Sequence, residues 1–454
     1  MHKRDKVILV RAGPSGKAIP HALLALAANL KDKVLILDEA TPDLVIKYKD
    51  EIKNAICVGI STITGPHIKH SLEVARQIRG VNPCVPLVWG GWHPSLKPRQ
   101  TLKNKYVDKV IIGQGEKAFQ DLVENIKKGK KTEDIIAYNY IDKNNFPIYN
   151  FKLIKDIEKY IVPHMGSRTI TLYTQQGCPY GCKFCAINSV YGKKYSGWDI
   201  DRVIILIRDT IKKYGINGVY FDDDNFFIDK KRALEFADKL LKRDIKINWG
   251  AAAGINILSS LNTEEWELLD RSGCKRLSAG AESGSQRTLD MLNKRIAPQM
   301  IIEFANLCYK YNIIPCLSLM VGVPGETQED IEETFKLLAM LKEKVPTTEP
   351  VLSLYTPYPG TPLYEVALKM GYKEPQSLEG WAEHYLDNPT TPWIDQSLGE
   401  RVKKYNASLP TQKDYTLKFK QKPRISVYIR RFSRLLRKKD KKETILNRYF
   451  KKKK

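Results

Sequence analysis

The sequence has no long hydrophobic run and few cysteines. No apolar stretch approaches the roughly 20 residues that a membrane-spanning helix needs, and the first apolar run, of four residues, is too short for a secretory signal. Eight cysteines in 454 residues are too few and too clustered for a disulfide framework. We therefore expect a soluble protein of a reducing cytoplasm, with peripheral contact at the inner membrane face as the alternative.

A nucleotide-binding loop is also missing. Residues 11–17 (RAGPSGK) superficially resemble a phosphate loop, but only two residues separate Gly13 from Gly16, and Lys17 is followed by Ala18. A Walker A loop requires four intervening residues and a Ser or Thr after the lysine, and the spacing does not fit G-x-G-x-x-G either. This segment therefore excludes both a nucleoside triphosphate site and an NAD site of the usual kind.

Positive charge is concentrated at the C-terminus. Residues 418–454 contain 17 Lys and Arg against two acidic residues, so they carry +15 of the net +24. Ile425, Ile429 and Phe432 recur at helical spacing among the arginines, which predicts a basic amphipathic helix. Such a helix can lie on an anionic membrane surface, or pack its apolar stripe on the body of the protein. Nucleic acid is the least favoured partner, because no recognised nucleic-acid module accompanies the charge.

The first ~125 residues alternate short apolar runs with helical periodicity, which predicts a doubly wound parallel sheet. Small and polar residues cluster where the strands should end, and ligands of such sheets bind beyond the carboxyl ends of strands. The alternative is that these residues only form local turns. The strand-end candidates are Ser61, Thr62, Thr64, Gly90, Gly91, His93, Gly113, Gly115 and Glu116.

A second alternation begins at Thr169 and contains six strand patterns. Helical patterns separate them near residues 200–214, 230–243, 263–273, 298–311 and 327–342. Six βα units predict a partial or complete barrel, whose functional residues lie at the carboxyl ends of the strands.

These patterns divide the chain into five segments. We predict an N-terminal Rossmann-like domain over residues 1–130, a linker over 131–165, a barrel over 166–365, an irregular and helical region over 366–415, and the basic tail over 416–454.

Cys178, Cys182 and Cys185 form a C-x3-C-x2-C motif directly after the first strand of the second region. A [4Fe-4S] cluster normally takes four thiolates, so three on one loop leave one iron available to another ligand. A structural zinc site usually pairs one such knuckle with a distant second one. The remaining cysteines lie in apolar patterns instead, and we expect them to be buried structural thiols: Cys57, Cys84, Cys274, Cys308 and Cys316. The motif therefore favours the cluster over zinc.

Further motifs follow in a fixed order: FDDDN at 221–225, AGAESGS at 279–285, GVPGET at 322–327 and PYPGTPLY at 357–364, with WGGWHPS and IGQGEKAF upstream. Together with CPYGCKFC at 178–185 they resemble the radical S-adenosylmethionine (SAM) superfamily, and specifically its cobalamin-binding-domain branch. The resemblance extends to about residue 365. It implies a Rossmann-like cobalamin-binding domain, a (β/α)6 partial TIM barrel and a small helical C-terminal appendage.

The resemblance also implies the chemistry. SAM chelates the open iron of the [4Fe-4S] cluster, and an electron from a donor such as flavodoxin or ferredoxin cleaves SAM to a 5′-deoxyadenosyl radical under anaerobic conditions. We expect the substrate of the enzyme to be a small molecule, or a lipid-like one if the basic tail lies on a membrane. The resemblance implies that SAM is bound by the residues at the matching motif positions, which are Phe184, Asp223, Asp224, Glu282, Ser283 and Gly322.

Structural roles compete with these assignments. The aspartates can cap the next helix, and alternation along a strand prevents Asp222, Asp223 and Asp224 from all facing inward. Glu282 can form a structural salt bridge, and Gly322 can make a strand-to-helix turn. No catalytic residue is assigned.

Cobalamin is the ligand that the resemblance implies for the strand-end candidates of the N-terminal domain. The D-x-H-x-x-G pattern that supplies a histidine to cobalt in many cobalamin proteins is missing from the chain. The related branch often binds cobalamin without it, so the motif's absence changes the expected axial ligand and not the fold. His93 is either a cobalt ligand or an organiser of its own loop.

The leading hypothesis is a cobalamin-dependent radical SAM methyltransferase acting on an unactivated carbon. The first alternative is a rearranging or oxidatively cyclising enzyme of the same architecture, as the anaerobic Mg-protoporphyrin ester cyclases are. The second is a non-catalytic protein that binds iron–sulfur or zinc. Substrate contacts are expected from the barrel interior and from the aromatic segment around Trp381, His384, Tyr385 and Trp393.

Overall fold

The computed structural model describes residues 5–384 and 391–410. The described strands form two six-stranded parallel sheets and one small antiparallel pair. Their bounds are β1 Lys6–Ala12, β2 Lys33–Ala40, β3 Ala55–Ser61, β4 Leu87–Gly90, β5 Lys109–Ile112, β6 Ile135–Ala137, β7 Thr169–Leu172, β8 Gln175–Gly177, β9 Tyr195–Gly197, β10 Gly218–Phe221, β11 Asn248–Ala252, β12 Cys274–Glu282, β13 Ile314–Val321 and β14 Glu349–Leu354.

Helices connect the strands and cover the sheets. Their bounds are α1 His21–Ala28, α2 Pro42–Lys47, α3 Lys49–Lys53, α4 His67–Val81, α5 Trp92–Leu96, α6 Pro98–Leu102, α7 Glu116–Lys127, α8 Ile187–Tyr191, α9 Ile200–Tyr214, α10 Lys230–Lys242, α11 Ile255–Leu258, α12 Thr263–Arg271, α13 Gln286–Met291, α14 Pro298–Lys310, α15 Gln328–Lys344, α16 Pro362–Lys369 and α17 Gln396–Ala407. Short 3₁₀ helices span Lys143–Asn145, Phe151–Leu153, Glu158–Tyr160 and Glu379–Glu383.

The N-terminal sheet has the strand order β2-β1-β3-β4-β5-β6. Along β1, Val7 and Leu9 belong to one buried core cluster and Ile8 and Val10 to another, because successive side chains point to opposite faces. Both faces are thus covered, as in doubly wound sheets. The order reverses between β1 and β3, and ligands of such sheets bind at this switch point, beyond the carboxyl ends of the strands.

The second sheet has the order β14-β13-β12-β11-β10-β7, with β7 and β14 at its edges. All of its neighbouring strands are parallel, and the five helices predicted between them are α9, α10, α12, α14 and α15. Local signals fix their ends: Asn262 and Glu265 form a capping box at the start of α12, and Gly215 ends α9 in the left-handed conformation. The predicted fold class, a Rossmann-like domain followed by a partial barrel and a helical C-terminal part, is confirmed.

Residues 357–384, which we name the strap, run from the barrel back to the N-terminal domain. Trp381 is fully buried in the core cluster that contains Ile8 and Val10, and its indole N–H donates to the Gln100 side chain at 2.6 Å. Lys97 forms an ion pair with Glu374. The strap therefore connects the two domains by both apolar and polar contacts.

One expectation is corrected, and two others concern residues outside the described ones. Cys84 is exposed, because it lies in the turn between α4 and β4 and not in a core strand, whereas Cys57, Cys274 and Cys308 are buried and Cys316 is partly buried. The basic tail and Tyr385 lie outside the described residues. None of the described helices is long and apolar enough to cross a membrane. The division into five segments with the stated boundaries stays a prediction.

Candidate active site

Three cysteines line one cavity beside the barrel strands. Cys178, Cys182 and Cys185 follow β8 directly and are partly buried. The cavity has a volume of about 320 Å³. Burial raises the pKa of all three thiols, and that of Cys185 to about 12. The free thiols are therefore protonated at neutral pH, and a metal centre that binds them must displace their protons.

The loop that carries the cysteines is held at several points. The Lys183 N–H donates to the Leu292 carbonyl at 3.0 Å, and the Leu363 N–H donates to the Lys183 carbonyl at 3.0 Å. The Asn293 side-chain amide donates to the Gly181 carbonyl at 2.8 Å. These bonds connect the cysteine loop to the segment after α13 and to the start of α16, so its backbone is positioned before any metal binds.

The donor set fits a cluster better than a single ion. A zinc ion needs four ligands about 2.0–2.3 Å from one centre. Within residues 5–384 and 391–410, no three His, Cys, Asp or Glu side chains converge closely enough to hold one metal ion. In a [4Fe-4S] cluster the thiolates bind different iron atoms, so they need not converge on one point, and three of them leave one iron free.

A buried ion pair faces the cysteines across the cavity. The Lys294 ammonium lies 2.7 Å from the Glu282 carboxylate, and 5.7 Å from the centroid of the Phe184 ring. All three residues line the cavity. Burial alone would lower the pKa of Lys294, but the negative charge of Glu282 and its hydrogen bond to the ammonium raise the pKa above its ordinary value. The cavity therefore contains a firmly protonated ammonium group.

Local backbone geometry makes this pair. The pairing register of β12 with β13 shifts between Gly280 and Glu282, and Glu282 adopts a φ of +63°, in the left-handed region. A Cβ atom on Gly280 would collide with the Glu282 carboxylate and lie 2.7 Å from the Lys294 Nζ. A glycine at position 280, near the carboxyl end of β12, therefore leaves room for the pair.

The three consecutive aspartates face different surroundings. Asp222 lines a second cavity between the two domains, and Asp224 lines both that cavity and the one with the cysteines. The Asp224 carboxylate accepts from the Tyr173 hydroxyl at 3.0 Å and from the Gly177 N–H at 2.5 Å. Burial raises the pKa of both Asp222 and Asp224 to about 6. Asp224 therefore forms part of the wall between the two cavities.

Asp223 instead accepts hydrogen bonds from the chain that precedes the cysteine loop. Its carboxylate accepts from the Thr174 N–H at 2.5 Å, the Thr174 hydroxyl at 2.8 Å and the Gln175 N–H at 2.9 Å. These bonds fix the chain that leads into β8 and the cysteine loop. The sequence predicts that the three adjacent aspartates cannot all face inward. In the structure Asp224, and not Asp223, lines the cavity with the cysteines.

Ser283 and Gly322 do not line the cavity with the cysteines. The Ser283 hydroxyl bonds the Thr334 hydroxyl at 2.9 Å, which joins the end of β12 to α15. The Gly322 N–H donates to the Glu326 carboxylate at 2.7 Å, and its carbonyl accepts from the Trp393 indole at 2.9 Å. Both residues secure strand ends behind the cavity, so a contact of either with SAM stays a prediction.

The interdomain cavity has a volume of about 450 Å³ and lies at the carboxyl ends of the N-terminal strands. Gly91 shows why glycine occurs there: its φ is +97°, and a Cβ atom would lie 2.6 Å from the Thr62 carbonyl oxygen. The opposite side includes Tyr173 and Asp222 of the barrel. Six of the nine strand-end candidates line the cavity: Ser61, Gly90, Gly91, Gly113, Gly115 and Glu116.

The other three candidates, Thr62, Thr64 and His93, are buried behind the cavity surface. The His93 Nδ1 bonds the Thr64 hydroxyl at 3.1 Å, and its ring centroid lies 5.5 Å from that of Trp381 in the strap. Burial lowers the pKa of His93 to about 3. The imidazole is therefore neutral and packed between the N-terminal domain and the strap, which agrees with the loop-organising alternative.

Sequence reasoning did not single out Lys294, Tyr173 or Lys143. Tyr173 follows the end of β7, so the rule that sites lie at strand carboxyl ends would have found it. Lys294 follows a short helix, and Lys143 lies in the linker. Neither lysine belongs to a recognisable sequence motif. Each reaches its cavity only because the folded chain brings distant segments together.

Two family models match the chain. Residues 172–338 match the radical SAM superfamily, and residues 7–123 match the B12 binding domain. An uncharacterized methyltransferase of Pyrococcus horikoshii is 28% identical over 78% of this chain and 79% of its own length. The anaerobic magnesium-protoporphyrin IX monomethyl ester cyclase of Rubrivivax gelatinosus is 26% identical over 73% of this chain and 62% of its own length.

The fold is similar to that of a solved protein. The radical SAM methyltransferase TsrM of Kitasatospora setae, with cobalamin and a [4Fe-4S] cluster bound, superposes with a TM-score of 0.67 at 17% identity. The match covers 82% of this chain and 76% of that one. The similarity therefore includes the N-terminal sheet as well as the barrel.

Proposed function

Because this chain belongs to the radical SAM superfamily and has a B12-binding domain before its radical SAM domain, we propose that it is a cobalamin-dependent methyltransferase acting on an unactivated carbon. When bound, the [4Fe-4S] cluster and SAM supply a 5′-deoxyadenosyl radical, and cobalamin supplies the methyl carrier. The observation that carries the proposal is the shared wall at Asp224. A cavity with three cysteines and a cavity at the B12-binding strand ends meet at this residue.

We propose that the cavity with the cysteines binds SAM through the Lys294–Glu282 pair. The Lys294 ammonium can donate to the carboxylate of SAM, while Glu282 can accept from its amino group or ribose hydroxyls. Phe184 and Asp224 line the same cavity. Asp223, Ser283 and Gly322 act in this proposal through the strand ends that they secure.

We propose that the strand-end glycines and Ser61 contact cobalamin. Backbone N–H groups at the edge of a parallel sheet suit the phosphate and amide groups of its nucleotide tail. The neutral, enclosed His93 is proposed as an organiser of this edge and not as a ligand of cobalt.

A cyclase is the second candidate, because one relative is an anaerobic cyclase. The test is anaerobic incubation of the reduced, cobalamin-loaded enzyme with SAM that has a deuterated methyl group. Methyl transfer predicts both 5′-deoxyadenosine and S-adenosylhomocysteine, with deuterium on the corrinoid. A product mixture with 5′-deoxyadenosine and no S-adenosylhomocysteine would contradict methyl transfer and favour the cyclase.

The reductant is proposed to be an acidic one-electron donor such as flavodoxin or ferredoxin. Lys183 and Arg295 are exposed beside the cysteine loop, and complementary charge accelerates such encounters. Lys183→Glu should slow reduction by flavodoxin several-fold at low salt, but leave reduction by dithionite unchanged. An equal change with both reductants would argue against docking at this surface.

For the basic tail, we propose peripheral contact with an anionic membrane, which would bring the barrel to a lipid-like substrate. Sedimentation with vesicles of phosphatidylglycerol should be lost above about 0.5 M salt and on removal of residues 418–454. Equal sedimentation of the truncated protein would contradict this contact.

A further inference from the structure

Lys143 is a buried lysine of the linker between the two domains. It is 3% exposed, and its backbone is fully bonded: its N–H donates to the Ser196 hydroxyl at 2.9 Å, and its carbonyl accepts from the Trp198 indole at 3.1 Å. These bonds connect the linker to β9 and fix the point from which the lysine side chain extends.

The Lys143 side chain lines the interdomain cavity. Its Nζ lies 4.8 Å from the centroid of the Trp198 ring and 5.2 Å from that of Tyr173, so two aromatic faces pack against the cation. In the part of the chain that the structure describes, no carboxylate lies within 4.0 Å of this Nζ. The ammonium therefore has aromatic rings beside it and no ionic partner.

A buried ammonium without a partner is costly. Burial lowers the pKa of Lys143, whereas the charges of Glu116, Asp223 and Asp224 act in the opposite direction from beyond ion-pair distance. The aromatic faces offset only part of the lost hydration. A ligand in the cavity that brings an acceptor oxygen to Nζ would supply the missing partner.

The other charged groups of the cavity restrict where an anion can bind. Arg11 also lines it, but both its Nε and one terminal nitrogen are bonded to the Asp38 carboxylate. Asp222, Asp224 and Glu116 line it as well and repel anions. Among the described residues of this cavity, Lys143 is thus the cation that remains available to an anionic group.

We propose that Lys143 binds an anionic oxygen, a carboxylate or a phosphate, of the substrate on the barrel side of the interdomain cavity, beside Tyr173 and opposite the strand ends proposed to contact cobalamin. The proposal rests on the methyl-transfer function above and names the chemical class of its substrate. Lys143 contacts the Tyr173 ring, and Tyr173 donates to Asp224 at the wall of the SAM cavity. An anion held by Lys143 would place the rest of the substrate beside this wall, where the radical is formed.

The test measures binding of simple anions to the cobalamin-loaded enzyme. Inorganic phosphate and acetate, titrated at constant ionic strength, should raise the unfolding temperature of the wild-type protein to a plateau. Lys143→Met should weaken this binding by about tenfold or more, and Lys143→Arg should retain it. Lys117→Met, which removes a surface lysine paired with Asp121, is the matched control and should behave as wild type. An equal effect of the anions on wild type and Lys143→Met would overturn the proposal.

Cobalamin has a phosphate of its own, so a second arm separates the two sources. Hydroxocobalamin and cobinamide, which lacks the nucleotide and its phosphate, should each bind Lys143→Met as tightly as wild type. Weaker binding of hydroxocobalamin alone would assign Lys143 to the cofactor, and weaker binding of both would assign it to packing; either result overturns the substrate assignment. Because both arms measure binding, they stay informative even if methyl transfer is not observed.

Discussion

At the scale of residues, the site depends on one buried ion pair and three thiols. Lys294 and Glu282 lie on different segments and meet beside Gly280, where the pairing register of β12 shifts. Removing one member of a buried pair leaves the other charge uncompensated, which costs about 3–5 kcal/mol. Replacing one member alone should therefore destabilise the protein, and the ammonium is held inside the cavity proposed to bind SAM.

Lys294→Met should weaken SAM binding about tenfold to a hundredfold, since a hydrogen bond to a charged group contributes roughly 1.5–3 kcal/mol. Equilibrium dialysis with labelled SAM on the cluster-loaded enzyme measures this directly. The matched control is Lys275→Met, because Lys275 is also ion-paired, with Asp270, on the surface of the barrel. Unchanged SAM affinity in Lys294→Met would refute the assigned role.

Each of Cys178→Ala, Cys182→Ala and Cys185→Ala should abolish the visible absorption of the cluster and the formation of 5′-deoxyadenosine. A cluster that already has one open iron cannot lose another thiolate and keep its geometry. Cys84→Ala, at an exposed cysteine of the N-terminal domain, should retain both signals. A single-site variant of the three with wild-type iron and product would show that the loop is not the cluster site.

That the three cysteines lie together was predictable because their spacing is local. That Glu282 and Asp224 reach the same cavity was predictable because their positions at strand ends match a family pattern. Lys294 and Lys143 were not, because their neighbours come from segments distant in the sequence. Asp223 shows the limit of a motif: adjacent aspartates are alike in sequence, yet alternation turns one to the backbone and the next to the cavity.

At the scale of elements, the strand ends of the N-terminal sheet depend on backbone shape. Gly91, between β4 and α5, has a φ of +97° and packs against the Thr62 carbonyl. A side chain at such a position costs about 1–3 kcal/mol in backbone strain alone. The loop that follows β4 thus has its shape only with glycine.

Gly91→Ala should therefore lower the unfolding temperature and weaken cobalamin binding together. Gly80→Ala is the control: a Cβ atom at Gly80 in α4 has nothing within 4 Å, and alanine in a helix is favoured by roughly 0.5–1 kcal/mol. Differential scanning fluorimetry with and without hydroxocobalamin compares the two. If Gly91→Ala unfolds no earlier than Gly80→Ala, the backbone at the strand end is not strained.

Most elements were predictable because their signals are local and periodic. The five crossover helices begin and end within a few residues of their patterns, and their caps are visible in the sequence. The sequence did not predict β6 as a sixth strand of the sheet. It has only three residues, which lie between charged stretches, and its strand conformation is defined by its pairing with β5. The exposure of Cys84 was likewise not predicted, because its apolar neighbours in the sequence suggested a buried strand and not a turn.

At the scale of the whole molecule, two neutral histidines lie where the strap meets the N-terminal domain: His93 of α5 packs against Trp381, and His384 of the strap packs against the same indole. The His384 Nε2–H donates to the Pro357 carbonyl at 2.8 Å, and its Nδ1 bonds the Tyr372 hydroxyl at 3.0 Å. Burial lowers the pKa of His384 to about 4 and that of His93 to about 3. Both imidazoles are less basic in the folded protein than in the unfolded chain, where the pKa is about 6.5.

The sign of the pH effect follows from these pKa values. Above about pH 6.5 both histidines are neutral in the folded and the unfolded chain, and the free energy of unfolding keeps its full value. It decreases as the pH falls towards 4 for His384 and towards 3 for His93, because the unfolded chain then binds protons that the folded protein does not. Between pH 6.5 and 5 the loss is at most about 2 kcal/mol for each histidine. His93→Gln and His384→Gln should each flatten the fall of the unfolding temperature over this range. His70→Gln, at a more exposed histidine, should not; equal slopes in all three variants would contradict the role of His93 and His384.

We propose that one chain holds a [4Fe-4S] cluster and cobalamin in two adjoining cavities. Quantification of iron and cobalt in the anaerobically purified, reconstituted protein tests it most directly, with the corrinoid identified by its visible spectrum. We expect about four irons and one cobalamin per chain. A protein that takes up its cluster but retains no corrinoid after reconstitution with hydroxocobalamin would contradict it.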